Sequence, residues 1–185
     1  MKEKIDLVKI WGIDESWTLF LDRDGVINHE TYENYITKPE EFKFLEGAQG
    51  AIVFLSNIFT KIIVVTNQQG VGKGLMSEND LIEVNDYMHE EIKIKGGRLD
   101  AIYYATELRG TKGGLRKPGR GMVDLAKKNF PDIDFEKSII IGNSNSDIEL
   151  GNHLGMKTIY IGKNWHINAL YTLESLKMFT QLLSC

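Results

Sequence analysis

Two carboxylates one residue apart, Asp22 and Asp24 in LFLDRDGV, close an apolar run and open a loop. Like charges this near each other repel, so a cation or a shared proton has to compensate. A magnesium ion, which prefers oxygen ligands, would do so. Turns favour Asp and Gly, so Asp22-Arg23-Asp24-Gly25 also reads as a solvated acidic turn. Its place directly after the run WTLFL at residues 17–21 favours chemistry. Thr66-Asn67 ends a second apolar run, KIIVV at 61–65. A hydroxyl there can bond a phosphate oxygen, and the next backbone N–H groups can add to an anion nest; a cap or turn role is the alternative. Arg116-Lys117-Pro118 is the third element. A lysine beside a phosphoryl group neutralises charge as the transition state forms, although a surface basic pair would look the same. Asn143 and Asp147 follow a further run, SIII at 138–141. Asp147 at this position can act on a metal directly or through water, or support the N-terminus of its own helix.

The loop QQGVGKG at 68–74 invites comparison with a nucleotide-binding loop, and the comparison fails. Asn67 stands where the first Gly of G-x-x-x-x-G-K-[ST] belongs, and Gly74 follows Lys73 where Ser or Thr is needed. Lys73 is kept as a candidate contact for an anionic substrate, beside the simpler reading of a solvated lysine.

The elements that must position these residues alternate. Apolar runs at 17–21, 61–65, 100–105, 138–141 and 157–161 read as strands. Helices are expected at 46–58, from Ser77 to about Lys95, at 122–129 and at about 147–154. The second of these opens on Ser77-Glu78-Asn79-Asp80, a capping box with Asp in place of Glu. Strand runs without clean alternation imply burial on both faces. Together these patterns predict an α/β fold: a doubly wound parallel sheet of about five strands. Ligands in such sheets sit at the carboxyl ends of the strands, which gathers the four polar elements into one site. The expected organisation is a single domain over 1–185, with an N-terminal extension at 1–16 and a C-terminal helical tail at 163–185.

A chain of 185 residues with 42% hydrophobic and 26% charged residues can bury one core. Its net charge of −4 disfavours general nucleic-acid binding. Cys185 is the sole cysteine, so neither an internal disulfide nor a cysteine-based metal site is expected, and it reads as an inert tail residue. The first residues, MKEKIDLVKIWGIDES, lack a signal-peptide core, and no apolar run approaches the roughly 20 residues of a membrane span. A cytoplasmic protein without a membrane partner is expected.

In order, the four elements resemble the motifs of the haloacid dehalogenase superfamily of phosphatases. FLDRDGVIN is similar to the first motif, VVTNQQGVGKG to the second, RKP to the third and GNSNSD to the fourth, over residues 17–162. The resemblance is to the capless subgroup that holds the heptose 1,7-bisphosphate phosphatases and the histidinol-phosphatase domain. It implies magnesium as cofactor, a small phosphorylated metabolite as substrate and a place in carbohydrate metabolism. It further implies that Asp22 is the nucleophile and that Asp24 serves as acid, then base. Thr66 and the Asn67 amide would hold phosphoryl oxygens, and Lys117 would neutralise Asp22 and the phosphate. Arg116 and Lys73 would contact the rest of the substrate, and Asp22, the Asp24 carbonyl and the fourth motif would hold magnesium. Two departures stand out. The fourth motif usually begins Gly-Asp, and here Asn143 replaces that Asp, so Asn143 and Asp147 both remain candidate metal ligands and metal affinity should be about 1–2 kcal/mol weaker. The zinc-loop positions hold Ala105, Glu107, Gly113 and Leu115, so no zinc is expected. A heptose bisphosphate-like substrate is the leading expectation. Histidinol phosphate, and a catalytically weak phosphate-binding homologue, are the alternatives.

Overall fold

The computed structural model describes residues 5–31, 35–111 and 114–183. Six parallel strands form one sheet in the order β3-β2-β1-β4-β5-β6. They are β1 (Thr18–Leu21), β2 (Lys61–Asn67), β3 (Ala101–Ala105), β4 (Ser138–Gly142), β5 (Lys157–Ile161) and β6 (Tyr171–Leu173). The helices are α1 (Leu7–Trp11), α2 (Ala48–Leu55), α3 (Gln69–Gly72), α4 (Glu78–Ile94), α5 (Gly121–Asn129), α6 (Asn145–His153) and α7 (Leu176–Leu183).

The central strands β1, β4 and the middle of β2 are buried on both faces, as the interior of a parallel sheet requires, while the edge strands β3 and β6 are half-buried. Leu19, Leu21, Ile62, Val64, Ile139 and Ile141 join a core with residues of α2, α4 and α7. Phe20, Ile63, Val65 and Ile140 face the other way, onto Met122, Val123 and Ala126 of α5 and Leu150 of α6. Successive residues point to opposite faces, so Phe20 and its neighbours Leu19 and Leu21 belong to different layers. The in-register pairs Leu21↔Val64 and Leu21↔Ile141 bring the ends of β2, β1 and β4 level. Strand order reverses direction at β1 and β4, which makes a crevice at their carboxyl ends.

Six strands replace the five expected. The extra strand lies inside the stretch read as a helical tail: Tyr171–Leu173 pairs with β5, and α7 begins only at Leu176. Three residues are too few to show a period of two, so the tertiary edge of β5 decides their conformation. The capping box of α4 forms as expected, with Ser77 and Asp80 each accepting the other's backbone N–H. Cys185 and Gly113 lie outside the described residues. Among the described residues no helix is long and apolar enough to cross a membrane.

The N- and C-terminal segments close the first core together. Leu7 of α1 and Phe179 of α7 are fully buried, Phe179 stacks near Phe59 at 6.5 Å, and Trp11 meets Tyr171 edge-on at 5.6 Å. Phe179→Ala should therefore cost about 3–5 kcal/mol of unfolding free energy. A loss below 1 kcal/mol in urea melts would mean that α7 is dispensable to the core.

Candidate active site

Lys117 is buried among the candidate residues with its ammonium between two carboxylates. It is 2% exposed, and its ammonium lies 3.0 Å from Asp22 Oδ1 and 2.5 Å from Asp147 Oδ1. It also donates to the Val65 carbonyl at 2.6 Å, so all three of its protons have oxygen partners. Burial pulls Lys117 towards neutrality, but Asp147 and Asp22 outweigh it and the group is held charged above its ordinary range. Asn67 fixes the approach of this segment: its amide accepts from the Lys117 N–H at 2.9 Å and donates to the Lys117 carbonyl at 3.2 Å. The Lys117–Pro118 peptide is cis.

Asp22 sits at the carboxyl end of β1, 8% exposed. Burial is the largest influence on it. Lys117 opposes burial, while Asp147 and Asp24 repel the charge further, and the carboxyl is pushed up to about 7. Asp24 behaves in the opposite way. Burial raises it too, but Arg23 and hydrogen bonds from Asn28 and Gln68 prevail and hold it below the usual carboxylate range. The Asn28 amide reaches Asp24 Oδ1 at 2.9 Å, and Gln68 Nε2 reaches Oδ2 at 2.6 Å. Gln68 Nε2 also donates to Thr66 Oγ1 at 2.9 Å. A hydroxyl that accepts from Gln68 still has its own proton to donate, and Thr66 lines the cleft.

Asp147 has a different place from the rest. It is fully buried beneath the cleft and is the N3 residue of the capping box that opens α6. Oδ2 accepts from the Ser144 N–H at 3.1 Å and hydroxyl at 2.6 Å, and Oδ1 pairs with Lys117. The two readings the sequence offered, metal chemistry and helix support, thus meet a third: Asp147 anchors the lysine. A Cβ at Gly142 would lie 2.1 Å from the Asp147 carboxyl carbon, so glycine is needed there to let the carboxylate under the strand end.

A cleft of about 910 Å³ opens over these groups. Asp22, Asp24, Thr66, Asn67, Lys117 and Asn143 line its deep end, and Lys73, Arg109 and Arg116 also border it. Lys73 lies 5.3 Å from the centre of the Tyr35 ring, and Arg116 donates to the Glu107 carbonyl at 3.3 Å. Burial and the neighbouring Arg109 pull Arg116 below the ordinary guanidinium range.

The charge balance at the deep end bears on a metal. Four carboxylates, Asp22, Asp24, Glu30 and Asp147, stand against two buried cations, Arg23 and Lys117. A phosphate ester is itself an anion, so a further cation would ease its approach to Asp22. Among the described residues no three His, Cys, Asp or Glu side chains converge as a metal cluster. Magnesium fits this better than zinc does, because it keeps several waters and takes few protein oxygens. The Asp22 carboxylate, the Asp24 carbonyl and the Asn143 amide oxygen would supply them.

Comparison with known proteins agrees with this geometry. Residues 19–163 match the sequence model of the polynucleotide kinase 3 phosphatase family. The chain is 38% identical to the D-glycero-alpha-D-manno-heptose-1,7-bisphosphate 7-phosphatase of Mycobacterium bovis over 138 residues, covering 75% of this chain and 73% of that one. It is 36% identical to the enzyme of the same name from Campylobacter jejuni, covering 77% and 80%. The chain belongs to the haloacid dehalogenase superfamily, as a phosphatase of the heptose bisphosphate phosphatase type. The crystal structure of D,D-heptose 1,7-bisphosphate phosphatase from Burkholderia thailandensis is similar with a TM-score of 0.64 and 26% identity, over 88% of this chain and 95% of that one. The enzyme from B. bronchiseptica, crystallised with magnesium and phosphate, shares the fold with a TM-score of 0.78 at 24% identity, over 89% of this chain and 98% of that one.

Three residues around this phosphatase site escaped the sequence reading. Arg23 looked like the spacer between two aspartates. It is 1% exposed, donates to Asn85 at 2.9 Å and Asp24 at 3.2 Å, and lies 6.0 Å from the Phe42 ring. Gln68 and Glu30 carried no assignment in the sequence. Only the polar run after each strand hinted at them.

The state of Asp22 yields a pH prediction. Below about 7 the buried carboxyl carries a proton and can neither attack phosphorus nor bind a cation. Magnesium and the proton then compete for one oxygen. The acid limb of kcat/KM should lie near pH 7 at low magnesium and move to lower pH as magnesium rises, because the metal binds the ionised form. A limb that stays fixed over a hundredfold range of magnesium would rule out this competition.

Proposed function

We propose that this chain is a magnesium-dependent phosphomonoesterase that works through a phosphoryl-Asp22 intermediate on a small sugar phosphate, heptose 1,7-bisphosphate-like. The observation that carries the reading is Asp22 at the deep end of the cleft, with the Lys117 ammonium 3.0 Å away and Thr66 lining the same cleft. Magnesium, when bound, would supply positive charge that draws the phosphoryl group in and holds Asp22 ionised. An oxygen of Asp22 attacks phosphorus, and the bond from phosphorus to the sugar oxygen breaks. The Thr66 hydroxyl and backbone N–H groups of the Asn67 loop hold phosphoryl oxygens, and Lys117 balances the charge that builds on them. Asp24 gives its proton to the departing sugar oxygen. In the free protein Asp24 is ionised; the negative phosphoryl group beside it raises its proton affinity, and it takes that proton from solvent water as the substrate enters. In the second half, water attacks phosphorus, Asp24 takes the proton, and the Asp22 carboxylate leaves. Splitting the reaction in this way is covalent catalysis.

The rim supports a substrate with charge at both ends. Lys73, Arg109 and Arg116 border the cleft apart from Lys117, where a second phosphate of a bisphosphate would find them. A panel of phosphate esters tests this. Heptose 1,7-bisphosphate should be turned over with the highest kcat/KM, ahead of histidinol phosphate and of a 3′-phosphorylated oligonucleotide. Equal rates on p-nitrophenyl phosphate and the bisphosphate would remove the argument from the rim.

Two substitutions test the chemistry. A carboxyl whose pKa is higher in the fold than in the unfolded chain favours folding at low pH, and that contribution is lost as pH rises through about 7. Ionised Asp22 is therefore a cost above neutrality. Asp22→Asn should abolish turnover and raise stability at pH 8 by about 1–3 kcal/mol, or several degrees. Retention of magnesium-dependent activity by Asp22→Asn would sink the covalent mechanism. Asp24→Asn should accumulate phosphate on Asp22, detectable as a mass increase of the intact protein.

A further inference from the structure

The Asn143 side chain lies pinned in the lining of the cleft. Its Nδ2 donates to Glu30 Oε2 at 2.9 Å. Behind it, a Cβ at Gly25 would lie 2.0 Å from that same nitrogen and 2.6 Å from the amide carbon. Gly25 also has φ of +78°, so both its conformation and the closeness of Asn143 call for glycine. The amide cannot turn over where it stands, since Oδ1 would then meet a carboxylate oxygen and no donor would lie between them. Committing Nδ2 to Glu30 leaves Oδ1 as the amide atom available to a cation. It also brings a carboxyl group to a position that carries no charge of its own. Glu30 is exposed and lies in no regular helix or strand, so packing does not demand a carboxylate there.

We propose that Glu30 is the positioning residue that makes Asn143 serve as a magnesium ligand, and that its charge replaces the one an aspartate at 143 would have supplied. This rests on the magnesium-dependent reading above. It alters what the sequence alone implied, a plain loss of metal affinity. It also carries a consequence that a bystander would not. In the presence of Glu30, an aspartate at 143 would face another carboxylate at hydrogen-bond distance, where like charges repel. Glu30 should help magnesium when residue 143 is Asn and hinder it when residue 143 is Asp.

The test is a double-mutant cycle read by calorimetric titration of magnesium chloride into the full-length protein, with melting curves to establish that each variant is folded. Glu30→Ala should weaken magnesium binding about five- to tenfold in the natural background. Glu30→Gln, which keeps an acceptor for Nδ2 but not the charge, should recover part of that loss. Asn143→Asp alone should change affinity less than about threefold, and adding Glu30→Ala to it should tighten binding. The inference is overturned if Glu30→Ala changes the natural affinity less than twofold, or if its effect has the same sign in both backgrounds. If the natural protein takes up no magnesium at millimolar concentration, the magnesium reading fails as a whole; a natural protein that binds while the cycle shows no reversal retains that reading and refutes only the role of Glu30.

Discussion

A single buried ammonium holds this site together. Lys117 lies between Asp22, at the end of β1, and Asp147, at the start of α6, and binds the Val65 carbonyl of β2. Each contact comes from a different element, so the lysine ties the end of β1, the start of α6 and β2 to one another. An ion pair this deep is a poor source of net stability, because removing both charges from water costs about as much as their attraction returns. Removing the lysine is different, since it strands two buried carboxyl groups at a cost of about 3–5 kcal/mol. The triad is therefore a constraint on geometry before it is a stabiliser.

Much of the surrounding polar structure follows from that constraint. Gly142 has no side chain because Asp147 occupies the space, and Ser144 holds the remaining oxygen of the same carboxylate. Asn67 clamps the backbone of Lys117 on both sides. Arg23, Asn28 and Gln68 form a separate network that keeps Asp24 ionised while Asp22 is crowded towards protonation. Two carboxylates one residue apart are thereby driven in opposite directions, the usual arrangement where two acids share a reaction in different roles.

The deep end of the cleft has more negative than positive charge, while its rim holds Lys73, Arg109 and Arg116. An anion is attracted by the rim and opposed by the floor. A divalent cation on the floor would reverse that opposition and so would link metal binding to substrate entry without a moving part. Glu30 adds to the negative floor from outside the β1–β4 crevice, through Asn143.

The sequence by itself determined the parallel α/β sheet, the capping box of α4, and the gathering of Asp22, Asp24, Thr66 and Lys117 at one edge. Those features are local or periodic: continuous apolar runs, a Ser-x-x-Asp spacing, and polar residues directly after strands. Only the tertiary structure decided the parts that depend on contacts between distant segments. Asp147 became a lysine anchor because α6 starts beneath β4. Arg23 went inward because Asn85 of α4 and Phe42 wait there. Residues 171–173 became a strand because β5 presented an open edge, overriding the helical pattern of the tail. Glu30 meets Asn143 across 113 positions of chain. No pattern in a linear sequence carries such a pairing, because the energy that selects it arises only once the sheet has brought the two loops to the same end.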